Sequence, residues 1–175
     1  MRATAAQIGV AGINVPFRSP MLVALVGLHI LFGLACVVTG IVAMLSEKRR
    51  GRHPSFGTTY YWCLAVVFAS ATVLAASRWR EDYSLFVLGL LSFLAATLGR
   101  SARRHRWRHW FGLHVTGMGV SYVLLITAFY VDNGKNLPLW RDLPTVAYWV
   151  LPSAVGVPLI ARALLRHPLA RAQRG

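Results

Sequence analysis

Long apolar stretches alternate with short, arginine-rich polar segments along the chain. Five of these stretches are predominantly apolar over roughly 17 to 25 residues, the length an α-helix needs to cross a hydrocarbon core about 30 Å thick, and their one charged side chain is Arg162 near the end of the last. They cover about residues 21–45, 60–77, 83–99, 111–131 and 145–165. The pattern predicts an all-α integral membrane bundle of about five transmembrane helices in one domain, residues 21–165.

Local signals predict how these spans begin, turn and end. Pro54 is expected to keep His53 out of helical geometry, which leaves Thr58 or Thr59 to cap the second span. Residues 78–82 are predicted to form a polar turn and residues 132–144 a polar loop, with Asn133 and Gly134 in a turn. Pro152 and Pro158 are expected to kink the fifth span.

Composition supports a membrane protein. Hydrophobic residues make up 56% of the 175 residues and charged residues 14%, whereas soluble domains carry about 25% charged residues. No continuous apolar segment precedes Pro20, so residues 1–20 are predicted to be an extracytoplasmic segment rather than a signal peptide. Residues 166–175 are predicted to form a basic cytoplasmic tail.

The distribution of positive charge predicts the orientation. One set of connections and the C-terminal segment hold 13 Lys and Arg, and the opposite set holds 6. Cytoplasmic loops carry the excess of basic residues, so the N-terminus is predicted outside and the C-terminus inside. A four-span alternative, in which the last apolar segment lies at the interface, leaves the basic tail outside against this rule.

The net charge of +14 also raises nucleic acid as a partner. The basic clusters flank apolar spans, where contact with anionic lipid explains them, so no nucleic acid is expected. The predicted partners are the lipid bilayer and either other membrane proteins or further copies of this chain.

Two histidines lie within predicted spans, where an ionisable side chain is costly and therefore a functional candidate. His29 shares a helix face with Gly33, Cys36 and Gly40. His114 shares a face with Gly117 and Ser121. Each histidine is predicted to be either a ligand or proton-relay residue, or a hydrogen-bonding group beside a small-residue packing seam.

Histidines on different helices can ligate a haem iron. His29 and His114 are predicted at different depths, which excludes one haem held by both. A haem b near the inner surface remains an alternative, with His114 paired with His53, His105 or His109. No other cofactor and no metal site is predicted, since Cys36 and Cys63 lack metal-ligand spacing. Walker, nucleophile-elbow and zinc-protease motifs are absent from the sequence, so no catalytic residue is assigned.

Residues 114–140 contain the motifs GMG-x-SY, TAFYVDNG and LPLW. In these motifs the chain resembles an uncharacterised family of small bacterial multi-pass membrane proteins assigned to a domain of unknown function. The resemblance covers most of residues 22–160 and implies a bacterial inner-membrane protein without implying an activity. It also implies a site at the outer membrane surface, formed by Tyr122, Tyr130, Asp132, Asn133 and Trp140.

Three functional hypotheses follow. The first is a non-enzymatic accessory, sensing or scaffolding component, because small-residue seams are plentiful and catalytic motifs are absent. The second is a haem b redox protein that uses the inner-side histidines. The third is a carrier of a small or lipid-like molecule between the histidine-bearing spans.

Overall fold

The computed structural model describes residues 7–10, 13–16, 20–47 and 51–166. Its main elements are five long helices, α1 (Pro20–Leu45), α2 (Arg52–Ser77), α3 (Trp79–Arg104), α4 (Trp110–Asn133) and α5 (Thr145–Arg166). Each contains 22 to 26 residues and is therefore at least about 33 Å long. All five are long and apolar enough to cross a membrane. The predicted five-helix membrane fold is confirmed.

A short β-hairpin precedes the helices and was not predicted. Its strands, β1 (Gln7–Val10) and β2 (Ile13–Pro16), are antiparallel, with Ile8 opposite Val15. Several predictions fall on residues outside the described part of the chain: the rest of the N-terminal segment, the basic residues Lys48, Arg49 and Arg50, and the tail beyond Arg166.

The second helix begins earlier than predicted. His53 and Pro54 lie in the first turn of α2, and Thr58 and Thr59 lie inside the helix, so the predicted cap was wrong. The reason is that the first four N–H groups of a helix need no intrahelical acceptor. A proline at the third helical position therefore costs no hydrogen bond.

The third helix is also longer than its apolar stretch. It begins at Trp79, so the predicted polar turn over 78–82 shrinks to the single residue Arg78 between α2 and α3. Glu81 and Asp82 occupy its first turn and Arg103 and Arg104 its last turn. These charges have the signs that the helix dipole favours at each end, so they extend the helix beyond the hydrocarbon.

The last two helices are joined by a partly ordered loop. α4 continues through Asn133, and a single 3-10 turn, Gly134–Asn136, follows it, so the predicted turn at Asn133 begins one residue later. α5 continues through both Pro152 and Pro158 as one helix.

The chain divides into two compact units, residues 1–87 and 88–175, and the division falls within α3. In the first unit α1 packs along α2, and the buried side chains include Cys36, Tyr60 and Leu64. In the second unit the end of α3 packs on α4, and α4 packs on α5. Ala96 and Ser121 are fully buried there.

Candidate functional site

His29 is held against α2 by a polar contact. Its Nδ1 atom lies 2.9 Å from the Ser70 Oγ atom. The Ser70 hydroxyl is itself 2.8 Å from the Val66 carbonyl oxygen and donates its single proton there. The Nδ1–H of His29 therefore donates to the Ser70 hydroxyl oxygen and joins α1 to α2.

The face of α1 that begins at His29 continues into the α1–α2 seam. Cys36 and Gly40 are buried, and His29 and Gly33 are half-buried. The Cys36 thiol lies 3.7 Å from the Tyr60 carbonyl oxygen of α2 and donates to it. This face is thus occupied by contacts with the neighbouring helix.

His53 makes a second contact between the same two helices. Its Nδ1–H donates to the Ala43 carbonyl oxygen at 2.7 Å, one of the carbonyls in the last turn of α1 that have no intrahelical donor. His53 therefore caps the end of α1 from the start of α2.

Serines and a histidine join α3 to α4 within the second unit. The hydroxyl of Ser92 donates to the Ser121 carbonyl oxygen at 2.8 Å, and both serines are buried. About two turns further along α3, the His114 Nδ1–H donates to the Gly99 carbonyl oxygen at 3.0 Å. Polar side chains thus connect the two helices at separate depths.

The backbones of α3 and α4 touch between these two hydrogen bonds. A Cβ atom added to Gly117 would lie 2.7 Å from the Ala95 carbonyl oxygen and 2.8 Å from the Gly99 Cα atom. Real Cβ atoms essentially never come this close to other heavy atoms. Glycine at 117 is therefore required by the packing, as in other small-residue seams of membrane helices.

Where α4 packs against α5, glycines on each helix leave space for larger side chains of the other helix. The Ile160 side chain of α5 occupies the space where Gly119 would carry a Cβ atom, 2.6 Å away, and Val123 of α4 lies against Gly156 in the same manner. Each helix thus supplies one glycine and one branched side chain. This reciprocal packing fixes the two helices side by side.

The loop that follows α4 is organised around Tyr148. This residue is buried, its hydroxyl donates to the Trp140 carbonyl oxygen at 2.8 Å, and its ring covers Gly134. The Lys135 ammonium group lies 5.6 Å from the centre of the same ring and donates to the Leu143 carbonyl oxygen at 2.9 Å. A tyrosine from α5 therefore anchors the loop.

The site proposed at the outer surface is only partly brought together. The Tyr130 and Trp140 rings are in contact, with centroids 4.9 Å apart. Asn133 donates to the carboxylate of the exposed neighbour Asp132 at 3.1 Å and to the Phe129 carbonyl oxygen. Tyr122 lies eight positions before Tyr130 on the same helix, about 12 Å along its axis, and is therefore not part of this cluster.

The histidines considered for haem ligation have different environments. His109 is exposed, adopts a left-handed backbone conformation and precedes α4, and His105 is exposed in the turn before it. His109 and His114 belong to the start of one helix, so they are not placed to bind opposite faces of a single haem. His53 belongs to the first unit and His114 to the second.

Within residues 20–47 and 51–166, every buried side-chain nitrogen and oxygen atom has a hydrogen-bond partner. In the same part of the chain, the His, Cys, Asp and Glu side chains form no group of three suited to a metal ion.

Several important residues were missed by the sequence interpretation, namely Ser70, Ser92, Lys135 and Tyr148. Ser70 and Ser92 carried a usable signal, since each is a polar residue near the middle of an apolar stretch.

Comparison with protein-family models, with curated proteins and with solved structures finds no match for this chain. The resemblance of residues 114–140 to a family of small bacterial membrane proteins remains a prediction.

Proposed function

We propose that this protein is a non-enzymatic accessory, sensing or scaffolding component of a bacterial inner membrane. It presents a tightly packed helical surface to other membrane proteins or to further copies of itself. The supporting observation is that both histidines inside the spans, together with two serines, make contacts between helices: His29 with Ser70, Ser92 with Ser121 and His114 with Gly99.

Close packing supports the same proposal. Backbone contact at Gly99 and Gly117, and the interlocked pairs on α4 and α5, hold α4 between its neighbours in the second unit. A carrier has to separate helices around its substrate during transport. Helices that touch through their backbones are better suited to a fixed support.

Haem binding is the second candidate, and it is favoured by the tautomer that two neutral histidine rings adopt. His53 and His114 each donate their Nδ1–H to a backbone carbonyl oxygen, which places the lone pair of the neutral ring on Nε2. Haem-ligating histidines use this arrangement, in which the second ring nitrogen is held by a hydrogen bond.

Replacing His114 with leucine separates the two candidates. If the histidine is a structural contact, the loss of its hydrogen bond to Gly99 lowers the free energy of unfolding by about 1 kcal/mol. His105→Leu is the matched control, because His105 is exposed in the turn before the same helix, and it should leave stability unchanged. Thermal unfolding in detergent compares the stability of both variants with that of the wild-type protein.

The absorption spectrum, recorded on the same samples with and without added haem, completes the test. The scaffold proposal predicts a wild-type spectrum without a Soret band from bound haem. The opposite result would be a stoichiometric Soret band that disappears in His114→Leu, together with unchanged or increased stability of that variant. It would contradict the scaffold proposal and support haem binding.

A further inference from the structure

An open groove runs along α1 and α2 in the first unit. It has a volume of about 560 Å³, within the range of small-molecule sites. Its lining consists of Phe32 from α1 and of Thr58, Thr59, Trp62, Cys63, Ala65, Val66 and Ala69 from α2. The Trp62 side chain is 61% exposed. The surface is apolar except for the two threonine hydroxyl groups.

The length of the groove matches one half of a bilayer. Thr58 and Ala69 mark its ends on α2, and eleven residues of helix separate them by about 16 Å. Half of a hydrocarbon core about 30 Å thick is about 15 Å. One acyl chain of a phospholipid, lying parallel to α2, would therefore fill the groove from the interface to the centre of the membrane.

One end of the groove is positively charged. Arg52 is exposed in the first turn of α2, about 9 Å along the axis from Thr58. Arg52, Thr59 and Val66 recur every seven residues, so they lie on one face of the helix. If the groove spans one half of the hydrocarbon core, the Arg52 guanidinium lies at the height of the lipid phosphates, where it would pair with a phosphate through two hydrogen bonds.

We propose that this groove is a binding site for an anionic phospholipid of the leaflet that contains Arg52. The acyl chain lies against Phe32, Trp62 and Val66, and the phosphate binds Arg52. A zwitterionic lipid offers the same chain, but its headgroup carries a cation that opposes the guanidinium charge. Selectivity for the anionic headgroup therefore depends on Arg52.

Trp62 provides the measurement, because it lies in the groove and its fluorescence is quenched by brominated acyl chains. The protein is reconstituted in phosphatidylcholine vesicles that contain increasing mole fractions of a brominated lipid, either phosphatidylglycerol or phosphatidylcholine. The Trp62 contribution is the difference between each protein and its Trp62→Phe derivative. Brominated phosphatidylglycerol should quench this contribution at a several-fold lower mole fraction than brominated phosphatidylcholine.

Arg52→Gln should reduce that preference about fivefold, the factor expected for one basic side chain at a membrane surface. Arg103→Gln is the matched control, since Arg103 is an exposed arginine in the last turn of α3, and it should retain the preference. Equal quenching by the two lipids would overturn the proposal. Absence of quenching by either lipid would also overturn it and would indicate that another helix covers the groove.

Native mass spectrometry of the intact protein provides a second readout that does not require the Trp62→Phe variant. Wild-type protein should retain one phosphatidylglycerol molecule after detergent exchange, and Arg52→Gln should lose it. Equal retention of phosphatidylglycerol by both proteins would contradict the assignment of the phosphate to Arg52.

Discussion

Gly117→Ala is expected to destabilise the protein by about 3 kcal/mol, the upper part of the range for overpacking substitutions. The added methyl group would lie 2.7 Å from the Ala95 carbonyl oxygen and 2.8 Å from the Gly99 Cα atom. Both atoms belong to the backbone of α3, so no side-chain rotation relieves the contact. The helices α3 and α4 must therefore separate, which weakens the nearby hydrogen bond from His114 to the Gly99 carbonyl oxygen.

Gly112→Ala is the control for this substitution. Gly112 lies in the same helix, and a Cβ atom added there would stand in open space, with no contact within 4 Å. Because alanine favours helix over glycine by about 1 kcal/mol, this variant should be as stable as wild type or more stable. Thermal unfolding in detergent compares the two variants. Equal stability of Gly117→Ala and Gly112→Ala would contradict the close contact of α3 and α4.

Tyr148→Ala is expected to cost about 3 kcal/mol or more, the usual range for removing a large buried aromatic side chain. The side chain is 2% exposed. Its removal opens a cavity over Gly134 and takes away the hydroxyl group that binds the Trp140 carbonyl oxygen. We expect a lower unfolding temperature and faster proteolysis of the loop at residues 134–144.

Two variants separate the contributions of the Tyr148 ring and its hydroxyl group. Tyr148→Phe keeps the ring and should lose only about 1 kcal/mol, the value of one hydrogen bond. Trp149→Ala removes the neighbouring aromatic residue, which is 40% exposed, and should have a smaller effect than Tyr148→Ala. A Tyr148→Ala protein as stable as Trp149→Ala would show that Tyr148 does not anchor the loop.

The existence of the five helices could be predicted because it depends on the length of each apolar segment. Each span must bury enough apolar length to match the hydrocarbon thickness, and that length is visible in the sequence. The ends were predicted less well because hydrophobicity reports the membrane thickness and not the extent of backbone hydrogen bonding. Residues 52–59 and 100–104 are polar or mixed in character, yet they continue α2 and α3.

The candidate residues were easier to predict than their partners. His29 and His114 are conspicuous because ionisable groups inside spans are costly. Which atom each of them meets depends on the register of neighbouring helices. For α3 and α4 that register is set by the turn at residues 105–109, in which Arg106 and His109 both adopt positive φ angles. No hydrophobicity pattern reports such a turn, so the contacts of Ser92 and Gly99 were not foreseen.

The burial of Tyr148 could not be predicted from the sequence. An aromatic residue near the start of an apolar span is ordinarily assigned to the membrane interface, where tyrosine and tryptophan are common. Its burial over Gly134 becomes visible only when the loop is folded back onto α5. The sequence contains both residues, but the distance of fourteen positions between them conceals the contact.

A chain that crosses a membrane five times has its two ends in opposite compartments, so the location of the termini is the most direct test of the five crossings. Compartment-specific reporters, fused in turn to each end, are assayed in intact bacterial cells that express the protein. We expect opposite compartments, with the C-terminal reporter in the cytoplasm and the N-terminal reporter outside. Both reporters in the same compartment would require an even number of crossings and would contradict it.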